Sequence, residues 1–286
     1  MIVKDALDRA IAEAQQSGGD TTAWDARLLL AHALGRRNPL ALDVREALDP
    51  AAEGRFRELW DRRLAGVPVQ HLVGEWDFFG RAFRVDERGL VPRPETETLV
   101  AVALREAPDA RYILDAGTGS GILALTLLLE RPAATAVALD ASLAALALAR
   151  SNAGRHGLAA RIELLASDWL SPLKTVRFDL AVSNPPYLSL ADEKELSATV
   201  REHDPHLALF AGADGLAAIR RLLDEIPAFL APGAPFLFEI GFGQAAAVES
   251  EIRRRAAWSF QRIEPDLSGV PRVAVLRRSA DSAPGA

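Results

Sequence analysis

Residues 111–130 read RYILDAGTGSGILALTLLLE. The run RYILDAG has the length and apolar content of a strand, and ILALTLLLE continues as a helix. Between them Gly117, Gly119 and Gly121 alternate through a turn that follows Asp115 at the strand end. Glycine reaches positive φ without strain and lets a ligand approach the backbone closely. In doubly wound sheets, ligands sit beyond the carboxyl ends of the strands, where strand order reverses. The spacing is GxGxG rather than the GxGxxG of a dinucleotide fingerprint. No Lys-Ser/Thr follows, which excludes a Walker-type phosphate cradle. A tight strand-to-helix turn would use the same glycines. The strand before, the helix after and an acidic residue on the next strand favour a nucleoside cofactor.

Outward from that turn, strands and helices alternate. ATAVALD (134–140), RIELLASD (161–168), FDLAVSN (178–184) and APFLFEIG (234–241) read as strands. SLAALALARSNAGRHG, GLAAIRRLLDEIPAFLAPG and QAAAVESEIRRRAA read as helices between them. This predicts a mostly parallel sheet with helices on both faces. SFQRIEPD and PRVAVLRR end the sheet. Only the turn LSG joins them, too short for a parallel crossover, so one of the two runs antiparallel. Residues 1–70 carry helix signals only. Thr22 and Asp25 form a capping-box pair ahead of ARLLLAHAL, SGGD (17–20) breaks the pattern, and LALDVREAL (40–48) and AAEGRFRELWDRRLAG read as two more helices after Pro39 and Pro50. A structural cap and a partner-docking domain fit this helical region equally. Residues 71–95 read as a hairpin connector, 96–278 as the sheet domain and 279–286 as a flexible tail.

Composition narrows the function. The chain has 286 residues, 49% of them hydrophobic and 25% charged, with a net charge of -6. That balance suits a soluble globular protein and opposes duplex nucleic acid binding, which draws on basic surface. The absence of cysteine removes disulfides, thiolate metal sites and cysteine nucleophiles. His203 and His206 are three apart but have no third ligand in view, so no metal is expected. The N-terminus lacks a leader's apolar run and no stretch is long enough to span a bilayer, so a cytoplasmic location is expected.

Asp140, at the end of ATAVALD, can accept both ribose hydroxyls of a nucleoside, or it can cap the helix beginning at Ser142. In SDWL, Asp168 could bond an adenine amino group and Trp169 could pack on the ring, although a lone Trp is commonly core. The fourth strand stops at Asn184-Pro185-Pro186-Tyr187. Two prolines force the chain out of the sheet and leave the carbonyls of Asn184 and Pro185 without ladder partners. Buried carbonyls left unpaired are costly. With the Asn184 side-chain oxygen they form a cluster of acceptors suited to a planar NH2 group, and Tyr187 offers a flat face and a hydroxyl. Holding such a group with its lone pair aimed at an electrophile supplies effective molarities of roughly 10⁵ M or more. The fitting electrophile is a sulfonium methyl carried by a nucleoside, which makes the reaction methyl transfer from S-adenosylmethionine to an amide or exocyclic amine.

These motifs resemble the HemK/PrmC family, the glutamine-N5 methyltransferases of peptide chain release factors. DAGTGSG is similar to its cofactor loop and SNPPYLS to its substrate motif. GLVPRPETETLV (89–100), DPHLALFAGADGL, FLFEIGFGQ and DLSGVPRVAVLRR are similar to its connector, later segments and C-terminal hairpin. NPPY alone is shared with methyltransferases of DNA and ribosomal RNA amines; the Arg93–Glu97 stretch is more specific. The resemblance implies a Rossmann-like seven-strand S-adenosylmethionine-dependent sheet with its last strand inserted antiparallel. It implies that Gly117, Thr118, Gly119, Ser120 and Gly121, following Asp115, wrap the cofactor, that Asp140 holds its ribose and that Trp169, beside Asp168, lies near its adenine. Asn184 then meets both cofactor and substrate amide, Pro185 adds its carbonyl, and Pro186 and Tyr187 complete the pocket. The implied substrate is the Gly-Gly-Gln loop of bacterial class-1 release factors, docked by the helical domain, with the enzyme a monomer. His203, Asp204 and Pro205 stand where the family often has Tyr-Glu-Pro, and Ala116 where Leu or Cys is frequent. Two other readings remain: an adenine-amino nucleic acid methyltransferase, and a cofactor-binding interaction module without catalysis.

Overall fold

The computed structural model describes residues 1–17, 20–171, 173 and 177–280. Gly18 and Gly19 of the SGGD break, and the expected flexible tail from residue 281 onward, lie outside the described residues. Along the chain run α1 (Val3–Ser17), α2 (Ala23–Ala33), α3 (Pro50–Leu64), α4 (Val69–Val73), β1 (Glu75–Phe78), β2 (Arg81–Arg84) and α5 (Thr96–Glu106). β3 (Tyr112–Ala116), α6 (Ile122–Glu130), β4 (Thr135–Asp140), α7 (Leu143–Arg155), β5 (Ile162–Ala166) and β6 (Leu180–Ser183) follow. Then come α8 (Ala198–His203), α9 (His206–Leu209), α10 (Ala217–Glu225), β7 (Pro235–Glu239), α11 (Ala245–Arg253), β8 (Trp258–Pro265) and β9 (Pro271–Arg278). Contacts divide the chain into two compact units. One comprises residues 1–76, 85–87 and 195–204, and the other 77–84, 88–194 and 205–286.

The first unit is helical. Leu7, Ala10 and Ala14 of α1, Leu29 and Leu30 of α2, and Phe56 and Trp60 of α3 are buried in one core. Thr22 and Asp25 make the expected capping box at the start of α2. Residues 40–48 depart from the expected helix. A 3₁₀ turn, Pro39–Ala41, forms there, and a second turn follows, closed by Glu46 N–H donating to the Asp43 carbonyl at 3.1 Å. Asn38 and Asp43 side chains accept from backbone N–H groups two residues on, and such local bonds favour turns over helix. Glu46 and Leu48 are then used to pair with the N-terminus, through Val3 N–H to the Glu46 carbonyl at 2.9 Å and Leu48 N–H to the Met1 carbonyl at 2.9 Å.

In the second unit the seven-stranded sheet has the order β5-β4-β3-β6-β7-β9-β8. β3 to β7 are mutually parallel. β9 runs antiparallel to both of its neighbours, as its short link to β8 demands. The parallel strands are apolar on both faces, as a doubly covered sheet requires. Ile113, Leu180, Val182, Leu237 and Val275 point to one face, with Leu99, Leu123 and Ala153 of α5, α6 and α7 over them. Leu114, Ala181, Phe236, Phe238 and Leu276 point to the other, covered by Ile219 of α10 and Val248 of α11. Strand order reverses between β3 and β6: the chain winds outward through β4 and β5 on one side, and through β7 on the other. The two-stranded sheet of β1 and β2 turns at Phe79 and Gly80, both at positive φ. Among the described residues no helix is long and apolar enough to cross a membrane.

In the helical unit Arg63 is a buried charge held by two aspartates, of which Asp25 is also buried. Arg63, 4% exposed, donates to Asp25 Oδ2 at 3.0 Å and to Asp20 Oδ1 at 2.9 Å. Removing one member of a buried pair costs about 3–5 kcal/mol, whereas neutralising both sides is far milder. Asp25→Ala is therefore expected to lower the unfolding free energy by about 3–5 kcal/mol in urea titrations. Asp25→Asn combined with Arg63→Met is expected to restore more than half of that loss.

Candidate active site

The reversal between β3 and β6 sets two strand ends side by side. Asp115 pairs with Val182 in register, and the next residue pair is tied by Ser183 Oγ, which donates to the Ala116 carbonyl at 2.6 Å. The glycine turn leaves from one strand and the Asn-Pro-Pro-Tyr segment from its neighbour. A cleft of about 520 Å³ lies at this point. Its lining includes Gly117, Thr118, Gly119, Ser120, Asp140, Asp168, Trp169, Asn184 and Pro186, together with residues 88–93 and Thr96. Asp115, Gly121 and Pro185 are buried and are not part of this lining, and Tyr187 lies half-buried behind it.

The turn is held by the end of β4. The N–H groups of Gly117 and Thr118 donate to the Leu139 carbonyl at 2.9 and 2.8 Å, and Gly119 N–H donates to Asp140 Oδ2 at 2.8 Å. All three glycines are at positive φ. A Cβ on Gly119 would meet nothing within 4 Å, so this backbone faces open space. A Cβ on Gly121 would lie 3.0 Å from Leu125 Cδ1 and 3.1 Å from Ala149 Cβ, so that glycine serves packing.

Asp115 is fully buried. Its Oδ2 accepts from Thr118 Oγ1 at 2.6 Å and from Ala124 N–H at 3.2 Å, which ties the turn to α6. Burial pushes its carboxyl up to about 6 against the pull of those two bonds. A carboxyl raised on folding destabilises the native state above that pH and not below the unfolded carboxyl's range.

Asp140 does not cap α7. Ser142 does, with its Oγ accepting from Ala145 N–H at 3.1 Å. Asp140 Oδ1 accepts from Ser142 N–H at 2.8 Å, so each carboxylate oxygen has one backbone partner and spare lone pairs facing the cleft. Asp168 is committed elsewhere in part: both its oxygens lie 2.9 Å from Arg221 Nη1 on α10. Trp169 has φ 60, a costly conformation for a bulky residue, and its ring edge approaches Gly117.

The backbone leaves the ladder after Ser183, as the two prolines require. Asn184 Nδ2 donates to Thr96 Oγ1 at 3.4 Å, and Thr96 Oγ1 donates to Glu239 Oε2 at 2.7 Å. Tyr187 Oη donates to Glu239 Oε1 at 3.4 Å. Glu239 ends β7 and is 2% exposed. Burial pushes its carboxyl upward, while Thr96, Arg272 and Tyr187 act the other way. Burial likewise raises the Tyr187 phenol, with Glu239 adding to the shift. Gln244 clamps the segment from below: its Nε2 donates to the Tyr187 carbonyl at 2.8 Å and its Oε1 accepts from Gly241 N–H at 2.9 Å. Among the described residues no group of three or more His, Asp or Glu side chains could hold a metal ion.

Thr96, Asn152, Glu239 and Gln244 carry no assigned role in the sequence reading. Asn152 is fully buried on α7 and joins the Ser120 carbonyl to both backbone groups of Arg84. A charged residue ending the otherwise apolar run PFLFE was the available signal for Glu239. Thr96 and Asn152 look like ordinary helix residues until the fold shows what they meet.

Residues 95–203 match the family model described as the methyltransferase small domain, and residues 5–74 match the PrmC N-terminal domain. The chain is 44% identical to a release factor glutamine methyltransferase of Cereibacter sphaeroides, over 98% of this chain and 100% of that protein. It is 42% identical to one of Deinococcus radiodurans, over 98% and 99%. The solved structure of a methyltransferase from Pyrococcus furiosus superposes with a TM-score of 0.51 at 16% identity, covering 80% of this chain and 99% of that one, a likeness of fold.

Two glycines of one turn should therefore respond differently. Gly119→Ala is expected to cost about 1–2 kcal/mol of stability, the left-handed backbone penalty. It should weaken S-adenosylmethionine binding about tenfold or more by filling the cradle. Gly121→Ala should lose stability more severely because its methyl also overlaps Leu125 and Ala149. Thermal melts and calorimetric titration of the cofactor separate the two.

Proposed function

The chain belongs to the release factor glutamine methyltransferases, and from that membership we propose its reaction. It transfers a methyl group from S-adenosylmethionine to the side-chain amide nitrogen of the glutamine in the Gly-Gly-Gln loop of bacterial class-1 release factors, and so modulates translation termination. The observation that carries this reading is the Asn184 amide, fixed at the carboxyl end of β6 beside the glycine turn and lining the same cleft.

The residues present fit the cofactor. The open backbone at Gly119, the spare carboxylate lone pairs of Asp140 and the Trp169 ring would hold the nucleoside. Bound there, S-adenosylmethionine supplies a methyl group activated by a sulfonium. Asn184 Oδ1 and the Pro185 carbonyl accept the two N–H bonds of the glutamine amide. That grip fixes the plane of the amide and turns its nitrogen lone pair toward the incoming methyl. The same acceptors stabilise positive charge as it develops on nitrogen. The nitrogen keeps the methyl and gives up one proton; the methylated amide is acidic enough at that stage to need no strong base. Pro186 completes the wall with Tyr187 behind it, and Asp168, shared with Arg221, flanks the adenine.

The helical region is the docking domain for the release factor in this reading, followed by the hairpin connector and the catalytic sheet. The working unit in this reading is a monomer. A translation substrate places the enzyme in the cytoplasm and calls for no nucleic acid partner.

The test is methyl transfer from labelled S-adenosylmethionine to a purified bacterial class-1 release factor, beside the same factor with its loop glutamine changed to alanine. Label should enter only the glutamine-bearing protein, and Asn184→Ala should cut kcat about 10²–10³-fold. Equal label in both factors would move the target elsewhere. No label in either, with cofactor bound, would turn the reading toward nucleic acid amines.

A further inference from the structure

The chemistry proposed for Asn184 works in one orientation only. A carboxamide has an acceptor end and a donor end of nearly equal shape, and a donor end facing the substrate NH2 would repel it. Something must choose between the two, and the choice lies behind the cleft wall. Thr96 Oγ1 has a single proton, and at 2.7 Å from Glu239 Oε2 that proton is committed to the carboxylate. The hydroxyl can then only accept from Asn184, so Nδ2 is the end drawn toward Thr96. A flipped Asn184 would set two acceptors against each other at this contact. The second carboxylate oxygen takes the Tyr187 hydroxyl. One buried group thereby orients two members of the Asn-Pro-Pro-Tyr segment.

We propose that Glu239 is a positioning residue for methyl transfer: by accepting from Thr96 and Tyr187 it polarises the Thr96 hydroxyl so that Asn184 presents Oδ1 to the substrate amide. The inference rests on the reading of Asn184 as the substrate acceptor. The charged and titratable groups facing Glu239 are Glu95 beside Thr96 at the start of α5, Tyr187 after β6 and Arg272 on β9. Arg272 favours the acceptor state of the carboxyl and Glu95 opposes it. Thr96 itself is 2% exposed, so water does not compete for its hydroxyl. A purely structural carboxylate in this place would need partners, but it would not need a hydroxyl at residue 96 with its proton turned away from Asn184.

The isosteric Glu239→Gln has one acceptor oxygen where the carboxylate has two, so Thr96 and Tyr187 can no longer both donate to it and the orienting of the segment is weakened. Thr96→Val deletes the relay, and Thr96→Ser keeps it. Glu239→Gln and Thr96→Val are each expected to lower kcat on the release factor about tenfold to a hundredfold. Cofactor affinity should stay within about twofold of wild type, since no contact in the glycine turn changes. Thr96→Ser should stay within about threefold of wild-type kcat, and the double variant Glu239→Gln/Thr96→Val should lose no more than the worse single one, because both act through one chain of bonds. A second readout does not depend on catalysis. The side-chain NH2 resonances of Asn184, assigned by their loss in Asn184→Asp, should include a slowly exchanging proton in wild type and in Thr96→Ser, and not in Thr96→Val or Glu239→Gln. Wild-type kcat in folded Glu239→Gln or in Thr96→Val, multiplying losses in the double variant, or Asn184 resonances unmoved by both changes would each overturn the inference. A wild-type protein that fails to methylate the release factor would instead fell the functional reading and leave the resonances to decide this one.

Discussion

A parallel sheet that winds outward in both directions from its middle must separate two neighbouring strand ends, and everything functional in this chain depends on that separation. β3 and β6 are hydrogen-bonded neighbours, yet their chains depart to opposite sides. The glycine turn and the two prolines are the local means of that departure. Glycines let the backbone bend back over the end of β4 and leave Gly119 facing open space. Prolines stop the ladder at Ser183, so the next polar groups face a cleft rather than a neighbouring strand.

The walls of the cleft are held by buried polar groups whose burial cost is offset in part by their hydrogen bonds. Asp115 ties the glycine turn to α6, Asn152 ties it to β2, and Glu239 ties the start of α5 to the segment after β6. The bonds of Asp115 are local, whereas Asn152 and Glu239 join pieces of chain far apart in sequence, Thr96 and Glu239 most of all. The upward push on the Asp115 and Glu239 carboxyls is the mark of burial winning over those partners. An apolar residue in either place would pack at less cost. Neither carboxyl would then hold the polar geometry that the reaction calls for.

Much of this was legible in the sequence because it was written in local patterns. Alternating apolar strands and helices with a glycine turn gave the doubly wound sheet, and the three-residue LSG link required the antiparallel pair of β8 and β9. Asn184 and Asp140 stood out because each ends a strand. The stretch 40–48 misled, since its apolar spacing suits a helix while Asn38 and Asp43 divert the backbone into turns. Asp140 was left between two roles until Ser142 proved to be the cap of α7. Thr96, Asn152 and Glu239 were not legible, because a single polar residue in a helix or at a strand end gains its meaning from what tertiary packing sets against it.

The central claim is that Asn184 meets the substrate amide with its oxygen. The most direct measurement is a crystal structure of the enzyme with S-adenosylhomocysteine and a release factor, at a resolution that fixes the amide orientation. The account predicts the glutamine nitrogen within hydrogen-bonding distance of Asn184 Oδ1 and the Pro185 carbonyl, with Thr96 between Asn184 and Glu239. A glutamine nitrogen facing Asn184 Nδ2, or lying against other residues altogether, would contradict it.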